Sequence, residues 1–146
     1  VMDLPQQIGL LQNNISGKPG AGRIHTYPGD LLKEDTEIPG GFDVVWMSQF
    51  LDCFSEEQVV SILRRVASSL KSGAKVFIME TLWDRQHFDT ASFDLAQTSV
   101  YFTAMANGNS KMFFSERLEL MINEAGLKVE SITDGLGYGH SLVKCS

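Results

Sequence analysis

Two acidic residues with the chemistry of a nucleotide site, Asp3 and Asp30, each follow a predicted strand. Residues 1–3 are typical of the end of a buried strand, and residues 23–27 predict a short strand that stops just before Asp30. An acid that ends the second strand of a parallel sheet accepts hydrogen bonds from ribose hydroxyls. Asp30 could accept one from an adenine amino group while Leu31 or Leu32 packs against the ring. Each acid alone could equally be an ordinary strand-end or turn residue, but the two together favour a nucleotide-type ligand.

The segments around these acids alternate between extended and helical patterns, which indicates a parallel α/β sheet with crossover helices. Pro5 suits the first turn of a helix that runs to about Ile15. The apolar run 44–47 predicts a central strand covered on both faces, and Ser55 is expected to cap the helix that follows. The later elements are a strand at 74–79, a helix from 88 to about 107, a helix from 115 to 125, and strands at 128–133 and 141–145 joined by a glycine-rich turn. No linker or repeat divides the 146 residues, so they fit one domain.

The composition argues against several classes of partner. The formal net charge is −6 and the basic residues are scattered, whereas proteins that bind nucleic acid or anionic membranes cluster Lys and Arg. The longest apolar stretch is well short of the roughly 20 residues that a membrane-spanning helix needs. Cys53 and Cys145 lie far apart, so we expect two reduced thiols in a cytoplasmic protein.

Histidine and metal chemistry leave few candidates. No His, Cys or acid cluster has the spacing of metal ligands, so we expect no catalytic metal. His25 falls in a predicted strand and His140 in the C-terminal turn. His87 follows a central strand, where ligands of such sheets bind, and it is the one histidine that we consider as a catalytic base.

The segment from Trp83 to Phe114 is rich in Phe, Tyr and Met, which can sandwich a flat aromatic molecule. We expect Trp83, Phe102 and Met105 to line a pocket for such a molecule, with Asn107 as a hydrogen-bonding group. The simpler interpretation of each of these residues is core packing or a dimer contact.

An ordered set of motifs resembles the plant and acetylserotonin type of S-adenosylmethionine-dependent O-methyltransferase. The motifs are Asp3-Leu4-Pro5, Gly29-Asp30-Leu31, Pro39-Gly40-Gly41-Phe42-Asp43, the segment from Ser48 to Glu57, and Glu124-Ala125-Gly126-Leu127. They cover nearly the whole chain. The resemblance implies a Rossmann-like class I methyltransferase sheet, mostly parallel with an antiparallel last strand, entered at its second strand.

The resemblance also implies a function and a set of site residues. The expected reaction transfers a methyl group from S-adenosylmethionine to an oxygen of a small, aromatic acceptor and leaves S-adenosylhomocysteine. The expected cofactor-binding residues are Asp3, Leu4, Asp30, Leu31, Ser48 and Gln49. Members of this family are homodimers, so we expect a homodimer for the full-length protein and no nucleic-acid or membrane partner.

The resemblance breaks down at the catalytic base. The family has a His in the strand-to-helix junction, and Asp52 stands in its place. An Asp with an ordinary pKa of about 3.9 is a much weaker base than His unless burial raises it. Three accounts of this difference are open: Asp52 is a re-tuned base, the protein aligns its substrates and leaves the proton to solvent, or the activity is lost. The structural alternative is that Asp52 only helps to cap the next helix. The Glu that orients the family's base falls near Met112.

Two other functions fit the same fold. The loss of the family's His and Glu keeps open a non-catalytic protein that binds a cofactor or ligand. An NAD-dependent oxidoreductase of Rossmann type shares the acid after the second strand, but the chain has no Tyr-x-x-x-Lys pair.

We also expect the chain to be the C-terminal part of a longer catalytic domain. The family's helical dimerisation domain, first strand and Gly-x-Gly loop have no counterpart in residues 1–146. Without that strand, the second and fourth strands of the family's sheet would each lack a neighbour. Without that loop, the chain alone is expected to show no measurable methyl transfer.

Overall fold

The computed structural model describes residues 1–146, which separate into two units, Val1–Pro39 and Gly40–Ser146. In the first unit, strand β1 (Met2–Asp3) is followed by helix α1 (Pro5–Ile15) and pairs in parallel with strand β2 (Tyr27–Pro28). Pro5 lies in the first turn of α1, where its missing N–H removes no helical hydrogen bond. The helix bounds are those that the sequence predicts.

The strand predicted at residues 23–27 is wrong except at its last residue. Ala21–Arg23 form a 3₁₀ turn, which Gly20 enters with a left-handed φ of 86°. The Ile24 N–H donates to the Ala21 carbonyl at 3.0 Å, so this backbone is used in a turn and not in a sheet. His25 therefore lies outside any strand.

The second unit contains a mixed four-stranded sheet and three helices. Its elements are β3 (Val44–Ser48), α2 (Glu56–Ser69), β4 (Lys75–Glu80), α3 (Asp89–Tyr101), α4 (Ser115–Glu124), β5 (Val129–Leu136) and β6 (His140–Cys145). The strand order is β3-β4-β6-β5. β3 and β4 are parallel, while β6 runs antiparallel to both of its neighbours. The antiparallel last strand, delivered by a hairpin, is confirmed.

Helix α2 forms where its capping residues predict. The Ser55 hydroxyl accepts from the Gln58 N–H, and the Gln58 side chain accepts from the Ser55 N–H, which is a complete capping box. Asp52 takes no part in this cap. The buried residues of α2 are all apolar: Val59, Val60, Ile62, Leu63 and Val66.

Strand β3 is not the doubly covered strand that its apolar sequence predicts. Val44 is 50% exposed and Trp46 is 55% exposed, while Met47 on the other face is buried. β3 also forms an edge of the sheet, because β4 is its one strand neighbour. β1 likewise pairs with β2 alone. These are the two strands that the sequence analysis expects to lack a neighbour.

The expectation of core packing along the aromatic helix is also wrong. Helix α3 contains no buried residue. Phe93 is 65% exposed, and Met105, in the π-helical turn Phe102–Ala106 that follows, is 75% exposed. A wide apolar arc therefore lies at the surface of this unit. None of the helices combines the length and the hydropathy that a membrane span requires.

Candidate active site

The carboxyl ends of β3 and β4 bring two acidic side chains to the same edge of the sheet. The strands are parallel with Ser48 opposite Met79. Residues after Ser48 therefore lie beside Glu80, which is the last residue of β4. This edge is where open α/β sheets bind their ligands.

Glu80 is the most unusual group at this edge, because it is a carboxyl group with 1% of its surface exposed. Its Oε1 accepts from the N–H groups of Phe50 at 3.0 Å and Leu51 at 2.8 Å. Burial, followed by repulsion from Asp52, raises its pKa to about 7 against the opposing backbone hydrogen bonds of Phe50, Leu51 and Asp52. A carboxyl group in this range can hold or release a proton near neutral pH.

The Glu80 carboxylate also fixes the loop that follows β3. Gln49 has a left-handed φ of 48°, which no other non-glycine residue of the chain adopts. Its N–H donates to the Met79 carbonyl at 2.9 Å, and its side-chain amide donates to Glu80 Oε2 at 3.3 Å. Strained backbone of this kind persists only where surrounding contacts hold it and is frequent at functional sites. Ser48 and Gln49, the predicted cofactor ligands in this unit, are both exposed.

Asp52 lies in a 3₁₀ turn, Leu51–Cys53, immediately after that loop. It is half-buried, and burial raises the pKa of its carboxyl group above the ordinary value. The Cys53 thiol donates to Asp52 Oδ1 at 3.6 Å, which lowers the pKa without cancelling the effect of burial. Burial is the condition under which the sequence analysis allows Asp52 to act as a base.

The loop that follows the π-helical turn is hydrogen-bonded to the backbone of Asp52. The π-helical turn ends at Asn107, whose Oδ1 accepts from the N–H groups of Asn109 and Ser110. Its amide nitrogen donates to the Ser110 hydroxyl at 2.7 Å. The Lys111 N–H then donates to the Asp52 carbonyl at 3.0 Å. The sequence analysis expects Asn107 to hydrogen-bond the methyl acceptor. In the structure, both lone pairs of its side-chain carbonyl and one of its side-chain N–H groups form hydrogen bonds within this loop.

The position where the family's orienting Glu was expected is also next to this site. Met112 accepts a hydrogen bond from the Thr81 hydroxyl at 3.1 Å, and Thr81 follows Glu80 directly. No acid stands at Met112, but Glu80 supplies one to the same region. The sequence analysis missed Glu80. The available signal was an acid at the end of a buried parallel strand, at the edge where Asp52 was already expected.

The predicted acceptor residues and His87 are less enclosed. Trp83 is half-buried, with its ring 5.0 Å from that of Phe114. Phe102 is half-buried and Met105 is exposed. His87 is exposed, and its ring lies 4.6 Å from that of its neighbour Phe88.

In the first unit, the parallel pairing of β1 and β2 brings the other predicted ligands to one edge. Asp3 lies opposite Pro28, and the Gly29 N–H donates to the Asp3 carbonyl at 2.9 Å. Asp3 Oδ1 accepts from the Leu4 N–H at 2.7 Å, and Asp30 Oδ1 accepts from the Leu32 N–H at 3.0 Å. Leu4 is exposed and Leu31 is half-buried. Asp3 thus ends β1, and Asp30 lies two residues after the end of the neighbouring strand β2.

No group of three or more His, Cys, Asp or Glu side chains in the chain is arranged to hold a metal ion. The groups that the site offers for chemistry are its carboxyl groups.

Residues 1–128 match the model of the O-methyltransferase domain family, and the chain belongs to that family. An L-tyrosine C(3)-methyltransferase of Streptomyces lavendulae is 24% identical over 131 residues, which is 90% of this chain and 35% of that protein. A 3-amino-4-hydroxybenzoate 4-O-methyltransferase of Streptomyces cremeus is 25% identical over 133 residues, 91% of this chain and 34% of that protein.

Solved structures confirm the fold class. An O-methyltransferase of neocarzinostatin biosynthesis, in complex with S-adenosyl-L-homocysteine and 1,4-dihydroxy-2-naphthoic acid, matches with a TM-score of 0.79 at 21% identity. The match covers 100% of this chain and 40% of that one. The chain thus spans about a third of the length of these curated relatives and two fifths of this structure.

Proposed function

We propose that the full-length protein transfers the methyl group of S-adenosylmethionine to an oxygen of a small aromatic acceptor. Membership of the O-methyltransferase domain family supports the reaction class. The names of the relatives support the acceptor class, since they act on a hydroxybenzoate and on tyrosine, and a neighbouring structure holds a dihydroxynaphthoic acid. In keeping with the sequence analysis, the protein would act as a cytoplasmic homodimer.

The chain would be the C-terminal part of the catalytic domain. The match to about a third of each curated relative supports this assignment. So do β1 and β3, because each has one strand neighbour. The glycine-rich cofactor loop would then lie outside residues 1–146, and we expect cofactor binding and turnover of the full-length protein only.

The observation that carries the proposal is the carboxyl pair of Asp52 and Glu80. Bound S-adenosylmethionine supplies an electrophilic methyl group on a positively charged sulfur. A phenol is a poor nucleophile until it loses its proton. Asp52, more exposed than Glu80, would accept that proton from the phenol, and the bound cofactor would supply the methyl group to the resulting oxygen.

Glu80 would support this transfer in two ways. Its hydrogen bonds to Phe50 and Leu51 hold the turn that carries Asp52. With a pKa of about 7, Glu80 gains a negative charge near neutral pH, and that charge would strengthen Asp52 as a base. The same base would serve methylation at a ring carbon beside the phenol, so product analysis by NMR separates the two outcomes.

The strand-end acids of the first unit fit the ribose and adenine of this cofactor. Asp3 and Asp30 each use Oδ1 for a local backbone N–H, and these bonds leave Oδ2 available to a ligand. Both acids follow paired parallel strands, and Leu31 stands next to Asp30. The set offers two acceptor oxygens and an apolar side chain, which is the chemistry that an adenosine needs.

We expect Asp3→Asn to weaken binding of S-adenosylmethionine to the full-length protein by about tenfold, because a charge-assisted hydrogen bond to ribose becomes a neutral one. Isothermal titration calorimetry measures the change. Asp35→Asn, an exposed acid of the same unit, is the matched control and should leave Kd unchanged. Equal affinities of the Asp3 and Asp35 variants would remove Asp3 from the cofactor site.

A further inference from the structure

Three consecutive side chains of the turn after β4 attach it to two other elements of the second unit. The turn is Trp83–Arg85, and Gln86 follows it. Asp84 reaches the start of α4, where its Oδ1 accepts from the Ser115 N–H at 2.7 Å and its Oδ2 from the Ser115 hydroxyl at 2.5 Å. This side of the turn is therefore fixed to a helix.

Arg85 reaches the opposite way, to the β5–β6 hairpin. Its Nε donates to Asp134 Oδ1 and a terminal nitrogen donates to Asp134 Oδ2, both at 2.7 Å. Asp134 Oδ1 also accepts from the hydroxyl of Ser141, which is fully buried in β6. The Arg85 guanidinium lowers the pKa of Asp134, so the pair stays ionised. A two-point contact of this kind sets the plane as well as the distance of the guanidinium.

Gln86 makes a second contact with the same hairpin. Its amide nitrogen donates to the carbonyls of Leu82 at 2.7 Å and Gly139 at 2.9 Å. A Cβ added to Gly139 would lie 2.4 Å from Gln86 Oε1, and the φ of Gly139 is +104°. The glycine therefore allows a close approach that another residue would prevent.

From these contacts we infer that Asp134 is a positioning residue for the methyl acceptor, acting through Arg85 on Trp83. The inference rests on the proposed function and on the expectation from the sequence that Trp83 lines the acceptor pocket. The Trp83 N–H is bound to the Phe113 carbonyl at 3.2 Å and its ring packs on Phe114. The β5–β6 hairpin holds the Arg85 end of the turn. A change at Asp134 therefore moves Trp83, against whose ring the acceptor lies.

The ion pair contributes little to folding stability, so a role in stability can be distinguished from a role in positioning the acceptor. The side chains of Arg85 and Asp134 are 32% and 40% exposed, and ion pairs at such positions have small effects on the free energy of unfolding. Small displacements of a bound substrate, in contrast, have large effects on its use. We therefore expect the consequence in acceptor recognition.

The test compares Asp134→Asn with Glu130→Gln. The Asp134→Asn side chain keeps an oxygen for the Ser141 hydroxyl but places an NH₂ group against Arg85. Glu130 lies in the same strand, pairs with Lys75 and Lys144 away from the turn, and loses its charge in the same way. Arg85→Lys is a second variant that keeps the charge and loses the two-point geometry. Urea unfolding confirms that each variant folds.

The first measurement requires no methyl transfer. In a Trp46→Phe background, Trp83 is the sole tryptophan of residues 1–146. The acrylamide quenching constant of Trp83 should rise about twofold in Asp134→Asn and Arg85→Lys as the turn loosens. Glu130→Gln should leave the constant unchanged. Equal quenching in the Asp134 and Glu130 variants would overturn the inference, whatever the protein's function.

The second measurement uses the full-length protein with S-adenosylmethionine and a hydroxynaphthoic acid. Asp134→Asn should raise the KM for the acceptor about fivefold while kcat and the Kd for S-adenosylmethionine change less than about twofold. An unchanged acceptor KM with an active wild type contradicts the inference. Absence of turnover in the wild type with acceptors of this class contradicts the proposed function instead, and the quenching result still decides the positioning role.

Discussion

Glu80→Gln should remove most of the pH dependence of stability of residues 40–146 between about pH 5 and pH 8. The pKa of Glu80 is raised from 4.5 to about 7. The protonated form is therefore favoured in the folded state. Its stabilising contribution is fully present below pH 4.5, and it is lost as the pH rises through about 7. The loss is about 3 kcal/mol in the free energy of unfolding, at about 1.36 kcal/mol for each pKa unit.

Gln is close to isosteric with Glu at this position. Its carbonyl oxygen can accept the same two hydrogen bonds from Phe50 and Leu51. The variant should match the wild type near pH 5 and be more stable than the wild type near pH 8. Urea unfolding followed by tryptophan fluorescence measures this, since Trp46 and Trp83 both lie in the second unit. Glu80→Ala is the control that loses both hydrogen bonds and should be less stable at every pH. A wild type whose stability rises across this interval would show that Glu80 is not the dominant titrating group.

Asp52→Asn should lower kcat for methyl transfer by about 10²- to 10³-fold, which is the usual contribution of a positioned general base. The amide keeps the size of the side chain and cannot accept the proton of a phenol. The affinity for S-adenosylmethionine should stay the same, because the strand-end acids of the first unit bind the cofactor in our proposal. Steady-state rates at saturating cofactor measure the effect.

Asp94→Asn, an exposed acid of α3, is the matched control and should retain full activity. Asp52→His provides the opposite change, since it restores the residue type of the resembled family at this position. It should recover more activity near neutral pH than the Asn variant. Full activity in Asp52→Asn would favour alignment of the substrates with proton loss to solvent.

The sequence predicts the elements whose signals are local. Helix α1 begins at Pro5, and helix α2 is capped by Ser55, because the chemistry of both starts is contained in a few neighbouring residues. The antiparallel direction of the final strand is implied by the family resemblance, which also accounts for the glycine-rich turn before it. The family resemblance then supplies the order of the strands.

Features that depend on distant neighbours are not predicted. The apolar run of β3 is the same whether the strand is covered on both faces or, as here, lies at a sheet edge with Trp46 exposed. The wide apolar arc of α3 likewise predicts a core position, although the helix buries none of its residues inside this unit. Burial depends on which elements pack against a residue, and neither the periodicity nor the composition of the sequence specifies those elements.

The candidate site shows the same division. Asp3, Asp30 and Asp52 can be found from strand ends and motif order, and the structure places them at such ends. The role of Glu80 depends on its burial and on the Phe50 and Leu51 N–H groups that face it. Asn107 is the opposite case, a residue that the sequence predicts to contact the ligand because it is polar and ends an aromatic helix. In the structure its side-chain amide forms hydrogen bonds within the loop.

The most direct test of the central claim is the pH dependence of kcat/KM for methyl transfer from S-adenosylmethionine to a hydroxynaphthoic acid by the full-length protein. Ionisation of Glu80, with a pKa of about 7, adds a negative charge beside Asp52 and strengthens Asp52 as a base, so the wild-type rate should rise through about pH 7. Glu80→Gln should lose this rise, and the double variant Asp52→Asn, Glu80→Gln should also lose most of the rate. A double variant with the rate and pH profile of the wild type would contradict the account.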